Sequence, residues 1–143
     1  MIKGVLEGTG DFTQTTGTLQ VNATGDNTSY TGDIKGGGAF TKLGDSVLAL
    51  SGTNTYTGDT TISAGTLTID GTGTLEEGSY DGAISNSGTF IYSSTTDQVL
   101  SGIISGDGAL TKQEDSSLTL SGANTYTGDT LISADNEIGR AHV

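Results

Sequence analysis

The 143-residue sequence predicts an all-β chain wound as a parallel β-helix, a solenoid of about six coils. Three observations carry this expectation. Residues 48–64 (LALSGTNTYTGDTTISA) return almost unchanged at 118–134 (LTLSGANTYTGDTLISA), a constant offset of 70. Self-similarity at a fixed period marks an architecture built by repetition. The apolar residues fall in short alternating runs between Gly, Asn and Asp clusters, which is the pattern of half-buried strands joined by turns. Hydrophobic residues make up only 31% and glycines number 24, too little for one thick core but enough for a thin repetitive one.

Taken in order, the alternating runs are 17–21, 46–50, 65–69, 88–92 and 117–121, and helical periodicity is absent. A finer mark, Gly then apolar then Gly-x-apolar, reads Gly4, Leu6, Gly10, Phe12, then Gly32, Ile34, Gly38, Phe40. It continues with Gly58, Ile62, Gly65, Leu67, then Gly82, Ile84, Gly88, Phe90, then Gly102, Ile104, Gly108, Leu110, and an incomplete Gly128, Ile132. The mean step is about 25 residues, in the solenoid range, so the offset of 70 reads as three coils. Stacking would then form one inward ladder from Leu6, Ile34, Ile62, Ile84, Ile104 and Ile132. A second would hold Phe12, Phe40, Leu67, Phe90 and Leu110, with Thr, Ser and Lys outward. The irregular stretch 70–81 is expected to protrude as a loop. Residues 1–136 are read as one β-helix. Residues 137–143 are read as a non-native tail, because the ending IGRAHV resembles a translated sequencing-adapter read-through.

The formal charge is −12, with only five basic residues, which argues against a phosphate-backbone partner: no nucleic acid is expected. Without cysteine there is no disulfide framework or thiolate metal site. No apolar run reaches the length of a membrane-spanning helix. The start MIKGVLEG lacks a signal-peptide apolar region, so any export signal is expected to lie elsewhere.

Few residues invite chemistry. Asp33, Asp59 and Asp129 each follow a marker glycine, and Asp33 and Asp59 on adjacent coils would sit about 5 Å apart. That spacing suits a retaining glycosidase or a shared Ca²⁺, but Asp equally caps turn amides. Capping is the preferred reading, because repetition gives these carboxylates like environments rather than the distinct ones an acid and a base require. A polysaccharide-degrading β-helix enzyme would need a basic residue beside them. Lys42 and Lys112 are expected about 14 Å apart, too far to act on one bond. Lys35 has no evident acidic constellation, and His142 stands alone, which excludes a Ser-His-Asp triad. Asn54, Asn124, Tyr56 and Tyr126 could form a sugar- or receptor-binding stripe. The preferred reading is that they serve the repeat, with the amide satisfying corner backbone groups. Catalytic, cofactor-binding and metal residues are therefore all expected to be none.

The segment from Phe40-Thr41-Lys42-Leu43-Gly44 through Leu48–Ile62 to Gly65-Thr66-Leu67 resembles the autotransporter-associated β-strand repeat, as does Leu110–Ala134. In the second copy Gln113-Glu114 stand where the first has Leu43-Gly44. The resemblance implies a right-handed parallel β-helix in the passenger region of a type V secreted, adhesin-like protein of a Gram-negative bacterium, at the cell surface or outside the cell. It implies an outer-membrane β-barrel translocator as partner, and a host-cell or glycan ligand for the parent passenger. It also implies a structural stalk whose repeats assist export and folding, rather than an enzyme. The alternatives are the polysaccharide-degrading enzyme and the direct glycan- or receptor-binding module.

Overall fold

The structure is a computed structural model that describes residues 2–4, 6–133 and 141–142. It is an all-β parallel solenoid of about six turns with three sides. The first side stacks Ile2–Gly4, Thr18–Asn22, Ala39–Leu43, Thr60–Ile62, Ile84–Asn86 and Ile104–Ser105. The second stacks Thr28–Tyr30, Val47–Leu50, Thr66–Gly71, Thr89–Ser94, Ala109–Lys112 and Thr130–Ile132. The third is broken into Phe12–Thr13 with Ile34–Lys35, Thr53–Asn54 with Thr74–Leu75, and a stack of Ser79–Tyr80, Gln98–Leu100, Leu118–Leu120 and Ala141–His142. Every strand pair is parallel.

Most strands obey the period-two rule, so alternate residues enter a narrow core; Thr74–Leu75 is buried at both positions and Thr130–Ile132, on the last described coil, is exposed throughout. Thr89–Ser94 alternates half-buried and buried throughout, placing Phe90, Tyr92 and Ser94 inside. Leu48, Leu50, Leu67, Ile69, Leu75 and Leu118 are wholly buried, so the core runs the length of the coil stack.

Beyond the first strand, register partners lie 19 to 24 residues apart, shorter than the step of about 25 expected from the glycine marks. Two expected contacts hold: Ile84 sits on Ile104, and Leu67, Phe90 and Leu110 form one ladder. The other assignments are corrected. Ile34 stacks on Phe12, Phe40 lies between Leu19 and Thr60, Ile62 lies between Lys42 and Asn86, and Ile132 sits on Lys112.

The offset of 70 is consequently not three coils. Three coils carry Phe40 through Thr60 and Ile84 to Ile104 on the first side. Its sequence equivalent, Leu110, lies on the second side. Likewise Val47–Leu50 is on the second side, while its counterpart Leu118–Leu120 is on the third. The repeat comes back three coils and one side later.

The stretch 70–81 is not a protruding loop. Gly73, Thr74, Leu75 and Tyr80 are buried, and the short 3-10 turn Glu76–Gly78 joins Thr74–Leu75 to Ser79–Tyr80. At the corners, backbones approach closely. A Cβ on Gly102 would lie 2.2 Å from the Gly82 carbonyl oxygen, and one on Gly122 would lie 2.3 Å from that of Gly102. The tail expectation falls largely outside the described residues. Of 137–143, only the backbone of Ala141–His142 is described, as a strand beside Leu118–Leu120.

Candidate functional site

The distinctive polar residues of the repeat turn inward. Lys42 has the strand parity of Phe40 and is fully buried, contrary to the expectation that lysines face outward. Its ammonium donates to the carbonyls of Leu43 (2.9 Å) and Gly44 (2.7 Å) in its own corner, and to that of Ala64 (3.2 Å) in the next coil. Three carbonyls take up its three donors, the condition under which an ammonium can be buried. Burial holds its pKa below the ordinary lysine value, with Asp45 pulling the other way. Lys112 is equally buried, donating to the carbonyls of Gln113 and Glu114 (2.7 Å for the latter) with its Nζ 5.9 Å from the centre of the Tyr92 ring. Neither lysine offers a base to solvent.

Asn54 is also wholly buried. Its Oδ1 accepts from the Ile34 amide of the preceding coil (2.9 Å), and its Nδ2 donates to Gly52 and, in the following coil, Thr74 (3.2 Å each). Asn124 repeats the backward bond, accepting from Ile104 N at 2.8 Å. Gln98 does similar work where the third side is interrupted. Its Oε1 accepts from Leu75 N (2.9 Å), and its Nε2 donates to Leu75 O and Val99 O (3.0 Å each). A primary amide presents the donor and acceptor of a peptide group, so it bridges coils where the backbone ladder fails.

Tyr56 and Tyr80 are buried on adjacent coils, with ring centroids 5.8 Å apart in an edge-on arrangement. Thr60, with the inward parity of Ile62, supplies the hydroxyl between them, and Tyr80 also donates to the Gly58 carbonyl (2.6 Å). Burial pushes both phenols above the ordinary tyrosine range, and hydrogen bonding to Thr60 opposes this. Tyr126, on the last described coil, is half-buried and keeps the bond to Thr130.

The carboxylates occupy corners and cap the following coil. Asp11 accepts from Asp33 N (3.0 Å), Asp33 from Thr53 N (2.8 Å), Asp59 from Ala83 N (2.9 Å) and Asp97 from Ser117 N (2.8 Å). Asp33 and Asp59 thus engage different corners, and Asp33 is paired instead with the Asp11 corner through Lys35. The Lys35 ammonium lies 2.8 Å from Asp11 and 3.6 Å from Asp33, so Lys35 does have an acidic constellation, contrary to expectation. Its hydrogen bond holds Asp11 below the usual carboxylate value, and Asp11 raises Lys35 in return.

Among the described residues, no group of three or more His, Cys, Asp or Glu side chains stands where it could hold a metal ion. Among the described residues, a cavity of about 210 Å³ is lined by Gln113, Glu114, Asp115 and Ser133, which bring two carboxylates to it. Sequence reasoning missed Thr60, Asn86 and Gln98, although each has the parity of a buried neighbour: Ile62, Ile84 and Leu100.

The passenger-associated-transport-repeat model matches residues 40–69 and 110–134, the two segments that hold Lys42, Asn54 and Tyr56 and their counterparts. The chain is 48% identical over 153 aligned residues to the adhesin BmaC autotransporter of Brucella suis biovar 1 (strain 1330), covering 81% of this chain and 4% of that protein. It is 54% identical over 43 residues to the extracellular serine protease of Serratia marcescens, covering 30% of this chain and 4% of that protein. The chain thus spans a small fraction of the length of the curated relatives it matches. No solved structure matches.

Proposed function

From the premise that the chain is an autotransporter passenger segment with two passenger-associated-transport-repeats, we propose that it is a non-enzymatic stalk of an adhesin-like passenger, whose repeats staple coils during export. It acts at the surface of a Gram-negative bacterium or outside the cell. Its partner is an outer-membrane β-barrel translocator belonging to the same passenger system. The carrying observation is that the first repeat's buried polar groups bond across coils. Lys42 reaches Ala64 of the next coil, and Asn54 joins Ile34 before it to Thr74 after it. Such groups are satisfied only once the neighbouring coil is in place, so each repeat favours orderly coil addition over partial collapse. Folding outside the membrane then hinders backsliding of the emerging chain.

The test places the full chain between an export signal and a β-barrel translocator and measures surface display by protease accessibility in intact cells. Display of the wild-type chain, with reduced display of Lys42→Ala and Asn54→Ala, is the expected result. Undiminished display of variants that have demonstrably lost stability in vitro would remove the export role. Binding of the isolated chain to a glycan array would overturn the stalk reading in favour of a recognition module.

A further inference from the structure

We propose that the corner joining Thr18–Asn22 to Thr28–Tyr30 is an N-glycosylation acceptor site with two acceptors, Asn22 and Asn27. The inference stands independently of the stalk reading. The corner contains Asn22-Ala23-Thr24 and Asn27-Thr28-Ser29, two Asn-x-Ser/Thr acceptor patterns within eight residues. Asn22, Thr24, Asn27 and Ser29 are all exposed, while Ala23 between the first pair is buried and pins the corner to the core.

The remaining described asparagines make a telling contrast. Asn54, Asn86 and Asn124 all lie in coil-bridging or corner positions, and the side-chain nitrogens of Asn54 and Asn86 are engaged by backbone carbonyls. Two residues after each stands Tyr56, Gly88 or Tyr126, none with the hydroxyl that the acceptor pattern requires. Structural asparagines and acceptor asparagines are therefore different residues in this chain.

Asn27 shows why a sugar there is compatible with the fold. Its Oδ1 accepts from Val47 N of the next coil at 3.0 Å, and its Nδ2 makes no hydrogen bond among the described residues. Glycosylation takes place at Nδ2. The nitrogen attacks the anomeric carbon of a pyrophosphate-activated sugar, and the bond from that carbon to the pyrophosphate oxygen breaks. The pyrophosphate leaves with the electron pair, and one Nδ2 proton passes to a carboxylate base of the transferase. Oδ1 is untouched, so the bond to Val47 survives. Asn22, at the end of its strand and in register with Leu43, is likewise exposed. The donor is either a nucleoside-diphosphate sugar or a lipid-pyrophosphate-linked sugar, which share this chemistry.

The test expresses the full chain in two arms. One supplies a soluble cytoplasmic N-glycosyltransferase with UDP-glucose. The other exports the chain to a periplasm holding lipid-linked oligosaccharide and a membrane transferase that reads the bare Asn-x-Ser/Thr pattern. Peptide mass spectrometry is expected to place sugar on Asn22 and Asn27 in at least one arm, and the arm identifies the donor. Thr24→Ala should abolish occupancy at Asn22 alone, and Ser29→Ala at Asn27 alone. The modified chain should keep the far-ultraviolet spectrum and thermal midpoint of the unmodified one. Three results would each overturn the proposal: no sugar at either asparagine in both arms, occupancy indifferent to Thr24→Ala and Ser29→Ala, or a modified chain that no longer folds while the unmodified chain does.

Discussion

Tyr56 and Tyr80, one coil apart along the chain and neighbours in the core, share one hydroxyl. Thr60 Oγ1 lies 2.6 Å from the Tyr56 phenol oxygen and 2.9 Å from that of Tyr80. Thr60 itself is wholly buried, in register with Phe40 on one side and Ile84 on the other. Thr60→Val keeps the shape and removes the shared partner, leaving the Tyr56 phenol without its bond while Tyr80 keeps Gly58. The expected loss is about 1–3 kcal/mol of unfolding free energy, the cost of a buried unsatisfied polar group. Urea titration of the variant and wild type measures it.

The tyrosines also set an alkaline limit. Burial pushes Tyr92 up to about 12, with a hydrogen bond to Ser94 opposing and Asp97 reinforcing. In the unfolded chain tyrosine titrates near 10. A folded-state pKa raised in this way gives stability that is complete below pH ~10 and is lost as the pH rises toward 12. Thermal midpoints across that window should fall steeply, and Tyr92→Phe should flatten the fall. Growth of the phenolate absorbance at the same pH as unfolding checks that the two events are linked.

Lys42 is expected to be among the most sensitive positions. Lys42→Met retains much of the stem's packing but removes the charged donor from the carbonyls of Gly44 and Ala64, and from that of Leu43, which keeps the Ala23 amide. A loss of about 2–4 kcal/mol follows from several buried acceptors losing a charged donor. Hydrogen exchange of the neighbouring Ser63 amide, which bonds the Lys42 carbonyl, should accelerate alongside the fall in denaturant midpoint.

Asp59 is expected to act through one oxygen. Asp59→Asn preserves an acceptor for the Ala83 amide, whereas Asp59→Ala does not. The alanine variant should lose about 1 kcal/mol and the asparagine variant only a few tenths, the ordinary value of a capping bond. Equal losses in both variants, read by chemical denaturation, would mean that the charge rather than the bond is what matters.

The departure between the two repeats has a conformational cost. Gly44 has φ 78°, and Glu114 at the equivalent corner has φ 61°, a left-handed conformation that disfavours a side chain. Glu114→Gly should stabilise the chain by about 0.5–1 kcal/mol, because relief of the strain is partly offset by the freer unfolded chain. Gly44→Glu should be the worse reverse change, since a Cβ there would sit 2.3 Å from the Ala23 carbonyl oxygen. Paired thermal melts of the two variants give the comparison.

Much of this was legible in the residues. Alternation at Leu19, Leu67 and Phe90 found their strands, and the glycine and asparagine clusters found the corners. The expectation that repeated Asn and Tyr residues serve the repeat agrees with the buried, coil-bridging Asn54 and with Tyr56. Coil length was not legible, because glycine marks corners and this chain has several corners per coil. Gly58 and Gly65 look like successive marks of one step, yet they flank a single strand, Thr60–Ile62. The lysines were misread because charge was given precedence over parity. Phe40 and Lys42 differ by two positions and must share a side of the strand, so parity alone turns Lys42 inward. What parity could not reveal is the cluster of carbonyls waiting there, because Ala64 arrives from a different coil.

The offset of 70 residues has a mechanical consequence. Each return of the repeat is displaced by one side of the rod, so a longer passenger built at the same interval would distribute its lysine and asparagine staples as a screw around all three sides. The reinforcement then resembles plies laid at successive angles in a composite tube. No single direction of bending meets only unreinforced wall, and a lateral load from flow or contact is resisted similarly from every quarter.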